Sequence, residues 1–186
     1  MAIKIYIDQG HNPESPNAGA EGNGYREQDL TYAVGRELYD LFTANPDFEA
    51  RLSRPDPDTV LGESNAESLR LRVEDANRWG ADIFLSIHAN ASVYPEVSGS
   101  EALVYSRDSS AYPLAEDILE GLALQTGLRN RGVLIRPGLY VLRKTAMPAV
   151  LVEMGFISNP SDARRMAERP DLFARGIYDG TVAYFS

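Results

Sequence analysis

Apolar and polar residues alternate from the start of the chain: in "IKIYID" (3–8), Ile3, Ile5 and Ile7 interleave with Lys4, Tyr6 and Asp8. That period of two predicts a strand. The stretch 10–24, rich in Gly, Asn and Pro, reads as loop. Leu30, Val34, Leu38 and Leu41 then recur at helical spacing and predict a helix from about Glu27 to Ala44. "FEARLSR" (48–54) reads as a short strand and "PDPD" (55–58) as a turn. Ser64 with Glu67 forms a capping-box pattern for a helix that runs to Trp79 and stops at Gly80. "DIFLSIH" (82–88) and "GSEALVYS" (99–106) read as strands. Ser110 caps a helix over 111–126, with Leu114, Ile118, Leu122 and Gln125 as its inner stripe and Gly127 as its end. "LYVLR" (139–143) and "PAVLVEMGF" (148–156) read as further strands. Asn159-Pro160 suits the start of a short helix, and Pro170 that of a last one through Tyr184.

Strands alternating with helices predict an α/β fold: a twisted, largely parallel mixed sheet with helices on both faces. With 186 residues the expectation is a single domain over 1–186. A chain of that length buries roughly 70% of its extended surface and needs no covalent staples. The net charge of −9 and the lack of a basic cluster exclude nucleic acid and anionic membrane as expected partners. No apolar run approaches the ~18 residues of a membrane span. A monomer is expected. There is no cysteine, so any zinc must be held by nitrogen and oxygen.

In open α/β sheets ligands bind beyond the carboxyl ends of the strands. The first strand runs into His11, "FLSIHAN" (84–90) carries His88, and "AVLVE" (149–153) ends on Glu153. These are the chain's two histidines and a carboxylate in an apolar run. A histidine past a strand can equally be a hydrogen-bonded surface group. A carboxylate in a buried run is costly unless paired, so Glu153 reads as a general base. Two histidines are one ligand short of a catalytic zinc site, which takes three protein ligands. Glu27, in "GYREQDL" (24–30), is the best-placed carboxylate to complete it, although alone it reads as first-turn helix charge. Asn90 and Arg143 are candidates for substrate contact, against loop hydrogen bonding and a solvated charge respectively. "GNG" (22–24) lacks a following Lys-Ser/Thr and reads as a turn.

Together "IDQGH" (7–11), "YREQDL" (25–30), "LRLRVEDANRWGADIFLSIHAN" (69–90), "SGSEALVY" (98–105), "LYVLRKTAMPA" (139–149) and "MPAVLVEMGFISNPSD" (147–162) resemble the zinc-dependent N-acetylmuramoyl-L-alanine amidases of amidase type 3. The resemblance spans the chain in order. It implies one Zn²⁺ bound by His11, Glu27 and His88, with Glu153 as the catalytic carboxylate. It also implies hydrolysis, on peptidoglycan, of the amide joining N-acetylmuramic acid to L-alanine of the stem peptide. Two departures stand out: Gln9 where the family usually has Pro, and "HNPESPNAGAEGNG" in place of a His-Gly-Gly loop opening. Such an enzyme acts on the cell wall, periplasmic or extracellular. An apolar strand beginning at residue 3 leaves no room for a signal peptide, so another export route or a trimmed mature domain is expected. The rival readings are a wall-binding domain without turnover and a zinc hydrolase of another amide.

Overall fold

The opening alternation becomes a buried central strand. A computed structural model describes residues 2–186. Its elements are β1 (Ile3–Gln9), β2 (Glu21–Gly22), β3 (Tyr25–Arg26), α1 (Glu27–Thr43), β4 (Phe48–Leu52), α2 (Asn65–Trp79), β5 (Ile83–Asn90), β6 (Ser100–Val104), α3 (Ala111–Thr126), β7 (Asn130–Ile135), α4 (Tyr140–Lys144), β8 (Ala149–Phe156), α5 (Pro160–Glu168) and α6 (Pro170–Tyr184). Six strands form one sheet in the order β4-β1-β5-β8-β6-β7. β4, β1, β5 and β8 are mutually parallel, whereas β6 pairs antiparallel with β8 and parallel with β7. The parallel strands therefore all end on one rim.

Both faces of the sheet are covered, as expected for parallel strands joined by helical crossovers. On one face Ile5, Ile7, Leu85 and Val152 pack with Leu38 of α1, Ile118 of α3 and Ile177 of α6. On the other, Tyr6, Phe84 and Leu151 pack with Val73 and Ala76 of α2 and with Val141 and Leu142 of α4. Because side chains alternate along a strand, His88 and Glu153 share this second face with Phe84 and Leu151. The cap of α2 forms in part: Ser64 Oγ accepts from the Glu67 amide at 3.2 Å, while the Glu67 carboxylate turns one residue further out, to the Glu63 amide. Gly80 closes the helix at φ 69°, a conformation open to glycine at little cost.

The structure corrects the element reading in three places. The segment 139–143, expected as a strand, instead contributes to the short helix α4 (Tyr140–Lys144), which buries the adjacent Val141 and Leu142. A strand would place those two on opposite faces, and a five-residue apolar segment does not distinguish the periods. β7 is an edge strand that the pattern did not reveal, since "NRGVLI" opens on polar residues and Gly132. The 10–24 loop ends in the first strand and the turn of the hairpin β2–β3, turned by Asn23 and Gly24 at φ 53° and 81°. That Asn-Gly pair suits a two-residue hairpin turn with both central residues left-handed. The hairpin delivers the chain directly into α1 at Glu27.

Candidate metal centre

His11 follows β1, His88 lies near the end of β5, and Glu27 opens α1. Donor atoms of these three residues lie within 4.8 Å of one another. Glu27 Oε1 is 3.2 Å from His11 Nε2 and 3.0 Å from His88 Nδ1. The imidazoles meet edge to face at 80°, with ring centroids 4.9 Å apart. Gly10 makes this approach possible, because a Cβ there would lie 2.5 Å from His88 Cε1 and 2.6 Å from the Ile87 carbonyl.

Each of the three is fixed by further contacts. His11 Nδ1 lies 3.2 Å from the Asn17 carbonyl, which can only accept, so Nδ1 carries the proton and donates. That leaves Nε2 as the nitrogen facing Glu27, the tautomer a metal ligand needs. Glu27 is only 4% exposed. Its Oε1 accepts from the Ala89 amide at 3.0 Å and its Oε2 from the Ala20 amide at 2.9 Å. Burial pushes the Glu27 carboxyl up, but hydrogen bonds and charge from His11 and His88 outweigh it and hold the group well below the usual carboxylate range. Burial pulls His88 down, and Glu27, Glu153 and Asp8 reverse this, leaving its pKa above the ordinary histidine value.

Glu153 stands opposite His88 in the β5–β8 register and opposite Glu101 in the β8–β6 register. Its Oε2 is buried and, among the described residues, has no hydrogen-bond partner. Burial pushes this carboxyl up to about 7; His88 draws it down, and Glu27 and Glu101 add to the rise. Just beyond, the register steps from His88↔Glu153 to Asn90↔Phe156, so β8 carries one extra residue beside the site. Bulges of this kind re-aim side chains next to functional sites.

A zinc ion fits this donor set. Two imidazole nitrogens and one carboxylate oxygen are three protein ligands, and a tetrahedral site at ~2.1 Å places its ligands roughly 3.4 Å apart, close to the two contacts that Glu27 makes with the imidazoles. A cavity of about 230 Å³ adjoins the cluster, walled by Leu69, Leu139, Tyr140, Val141 and Leu151 with His11 and His88 at its edge.

Asn90 and Arg143 lie outside the cluster. The Asn90 amide is engaged within the protein, donating to Glu101 at 3.1 Å and accepting from the Ala91 amide at 2.9 Å. Arg143 is exposed on α4 rather than at a strand end. The sequence reading missed Asp8 and Arg72, a fully buried pair at 2.7 Å beneath His11. The signal was available, because Arg72 interrupts the buried stripe of α2 between Leu69 and Val73.

The sequence profile of the N-acetylmuramoyl-L-alanine amidase family matches residues 5–182. The chain belongs to that family. It is 37% identical over 187 residues to the amidase LytC of Bacillus subtilis, covering 97% of this chain and 35% of that protein. It thus spans about a third of that relative's length. Against the germination-specific amidase of the same species, identity is 30%, with 98% of this chain and 79% of that protein covered. Among solved structures, an N-acetylmuramoyl-L-alanine amidase from Clostridium difficile superposes with a TM-score of 0.89 at 28% identity, covering 99% of this chain and 97% of that one. The catalytic domain of CwlV from Bacillus (Paenibacillus) polymyxa superposes with a TM-score of 0.86 at 31% identity, with 98% of each chain covered. The amidase-family α/β architecture is therefore the fold of this chain. Among the described residues no helix is long and apolar enough to cross a membrane.

Proposed function

We propose that residues 1–186 form a zinc-dependent amidase domain that hydrolyses the amide between N-acetylmuramic acid and L-alanine of peptidoglycan, acting as a monomer on the cell wall outside the cytoplasm. The observation that carries the reading is Glu153: a buried, unpartnered carboxylate oxygen beside a ready set of two imidazoles and a carboxylate. Family membership supplies the substrate class.

His11, Glu27 and His88 would hold the metal. When bound, zinc supplies Lewis acidity that eases deprotonation of a water and stabilises negative charge on the amide oxygen. Glu153 takes a proton from the attacking water as the water oxygen bonds to the lactyl carbonyl carbon. It then delivers that proton to the alanine nitrogen as the C–N bond breaks. The products are the muramyl carboxylic acid and a stem peptide with a free amino-terminal L-alanine. A carboxyl pushed up to about 7 is suited to both roles near neutral pH. Asn17 fixes the His11 tautomer, and the Ala20 and Ala89 amides hold the Glu27 carboxylate in place. Arg143 would meet the substrate from α4, while Asn90, bonded to Glu101 and the Ala91 amide, would shape the rim.

Glu153→Gln tests the assignment. The variant should bind zinc as the parent does and lose roughly 10²–10⁴-fold in turnover, the range for a general acid–base group. Undiminished turnover would remove Glu153 from the mechanism.

A further inference from the structure

His11 is a non-glycine residue in the left-handed region, at φ 69°. L-residues avoid that conformation unless their surroundings impose it. Two buried arginines converge on its carbonyl: Arg72 Nη2 donates at 2.7 Å and Arg54 Nη1 at 3.4 Å. Both arginines are 1% exposed.

The Arg72 fork separates into two tasks. Nη1 donates to Asp8 Oδ1 and to the Gln9 carbonyl, both at 2.7 Å, tying α2 to β1. Nη2 donates to the His11 carbonyl and, at 3.1 Å, to Asn12 Oδ1, tying α2 to the loop after β1. The same loop is drawn back on itself at Asn17, whose carbonyl accepts from the Asn12 amide at 2.9 Å and from His11 Nδ1 at 3.2 Å. The His11 carbonyl thus faces the arginines while its ring faces Glu27 and His88. Gln9 adds to the arrangement, accepting the Arg54 amide at 2.9 Å and donating its own amide to Ser53 Oγ at 3.0 Å. Proline at position 9 would have no amide to donate.

We propose that Arg72, with Arg54 as a second donor, is the positioning residue for the metal site: it imposes the left-handed backbone of His11 that aims Nε2 at the ligand cluster. This rests on the zinc reading above. A purely structural role predicts that Arg72 matters only through its pair with Asp8. A positioning role predicts that losing Nη2 alone weakens zinc binding.

Arg72→Lys distinguishes them, because one ammonium can keep the Asp8 pair but cannot also reach His11 and Asn12. Zinc affinity is measured by competition with a chromophoric chelator, alongside thermal melting. Asp8→Asn/Arg72→Met serves as a second variant that leaves no lone buried charge. Ile177→Ala, a core truncation on distant α6, is the comparison for general destabilisation. Arg72→Lys and the double variant should melt cooperatively and bind zinc about 10–100-fold more weakly, the usual range for a group that orients a ligand. Ile177→Ala should melt earlier and bind zinc as the parent does. In the metal-free protein, the His11 Nδ1 proton should be observable by nitrogen-edited NMR in the parent and lost in Arg72→Lys. Folded Arg72 variants with parental zinc affinity would overturn the inference and leave the metal site standing. A parent chain that binds no zinc would overturn the metal reading itself.

Discussion

Gly10→Ala probes how tightly the site is built. Gly10 is not in the left-handed region, so alanine carries no backbone strain there and the perturbation is steric alone. Its Cβ would lie 2.5 Å from His88 Cε1 and 2.6 Å from the Ile87 carbonyl oxygen. Both contacts fall ~1 Å short of ordinary van der Waals separation. The carbonyl belongs to β5 and accepts the Gly10 amide at 3.0 Å, so neither backbone gives way easily. The imidazole is the movable partner, and moving it withdraws Nδ1 from Glu27 Oε1. Overpacking of this kind costs about 1–3 kcal/mol. In a domain of this size each kcal/mol lowers Tm by about 2–4 °C. Differential scanning calorimetry should thus register a drop of roughly 2–12 °C. Zinc affinity measured by chelator competition should fall as well, because the displaced ring is a ligand. Parental Tm and parental zinc affinity together would refute the reasoning, since His88 would then have room to move without loss.

Two further outcomes follow from the ionisable groups. As the proposed base, Glu153 must be ionised, so kcat/KM should rise with pH on an acid limb at or below about 7, the value to which burial pushes it, with bound zinc drawing the limb lower; an acid limb lying above that value would contradict the assignment. Burial pushes Asp8 up, but the Arg72 guanidinium and the Ser86 hydroxyl outweigh it and hold the carboxyl below its usual range. Its contribution to stability is therefore present above the ordinary aspartate value of about 4 and is lost as pH falls through the lower folded value. Melting curves from pH 6 down to pH 2 should show that loss in the parent and a shallower one in Asp8→Asn/Arg72→Met; equal slopes would place the acid sensitivity elsewhere.

Strong periodicity made the large elements legible. Ile3, Ile5 and Ile7 announced β1, Leu30 through Leu38 announced α1, and Gly80 and Gly127 marked helix ends that the structure keeps. Short elements were not legible, since neither five residues around Val141 nor the polar opening of β7 carries a resolvable period. His11, His88 and Glu153 were visible as candidates because each is a polar group at the C-terminal side of an apolar run: His11 just past β1, His88 near the end of β5 and Glu153 in the second half of β8. Glu27 was harder, because a first-turn glutamate looks alike whether it faces solvent or folds inward. The β2–β3 hairpin decides its direction, and that hairpin was hidden in a stretch that read only as loop. Gln9 is read differently once the fold is known: its amide and side chain both bond in the core beneath the site, which proline could not reproduce. Arg72 was overlooked because a charge on a helix is ordinarily solvated, and only the fold reveals Asp8 and the His11 carbonyl waiting for it.

The most direct measurement is mass spectrometry of the soluble products released from purified peptidoglycan by the zinc-loaded protein and by a chelator-stripped sample. The account predicts intact stem peptides with a free amino-terminal L-alanine from the zinc-loaded protein alone. Peptides cut at internal bonds, or equal release after the metal is stripped, would contradict it.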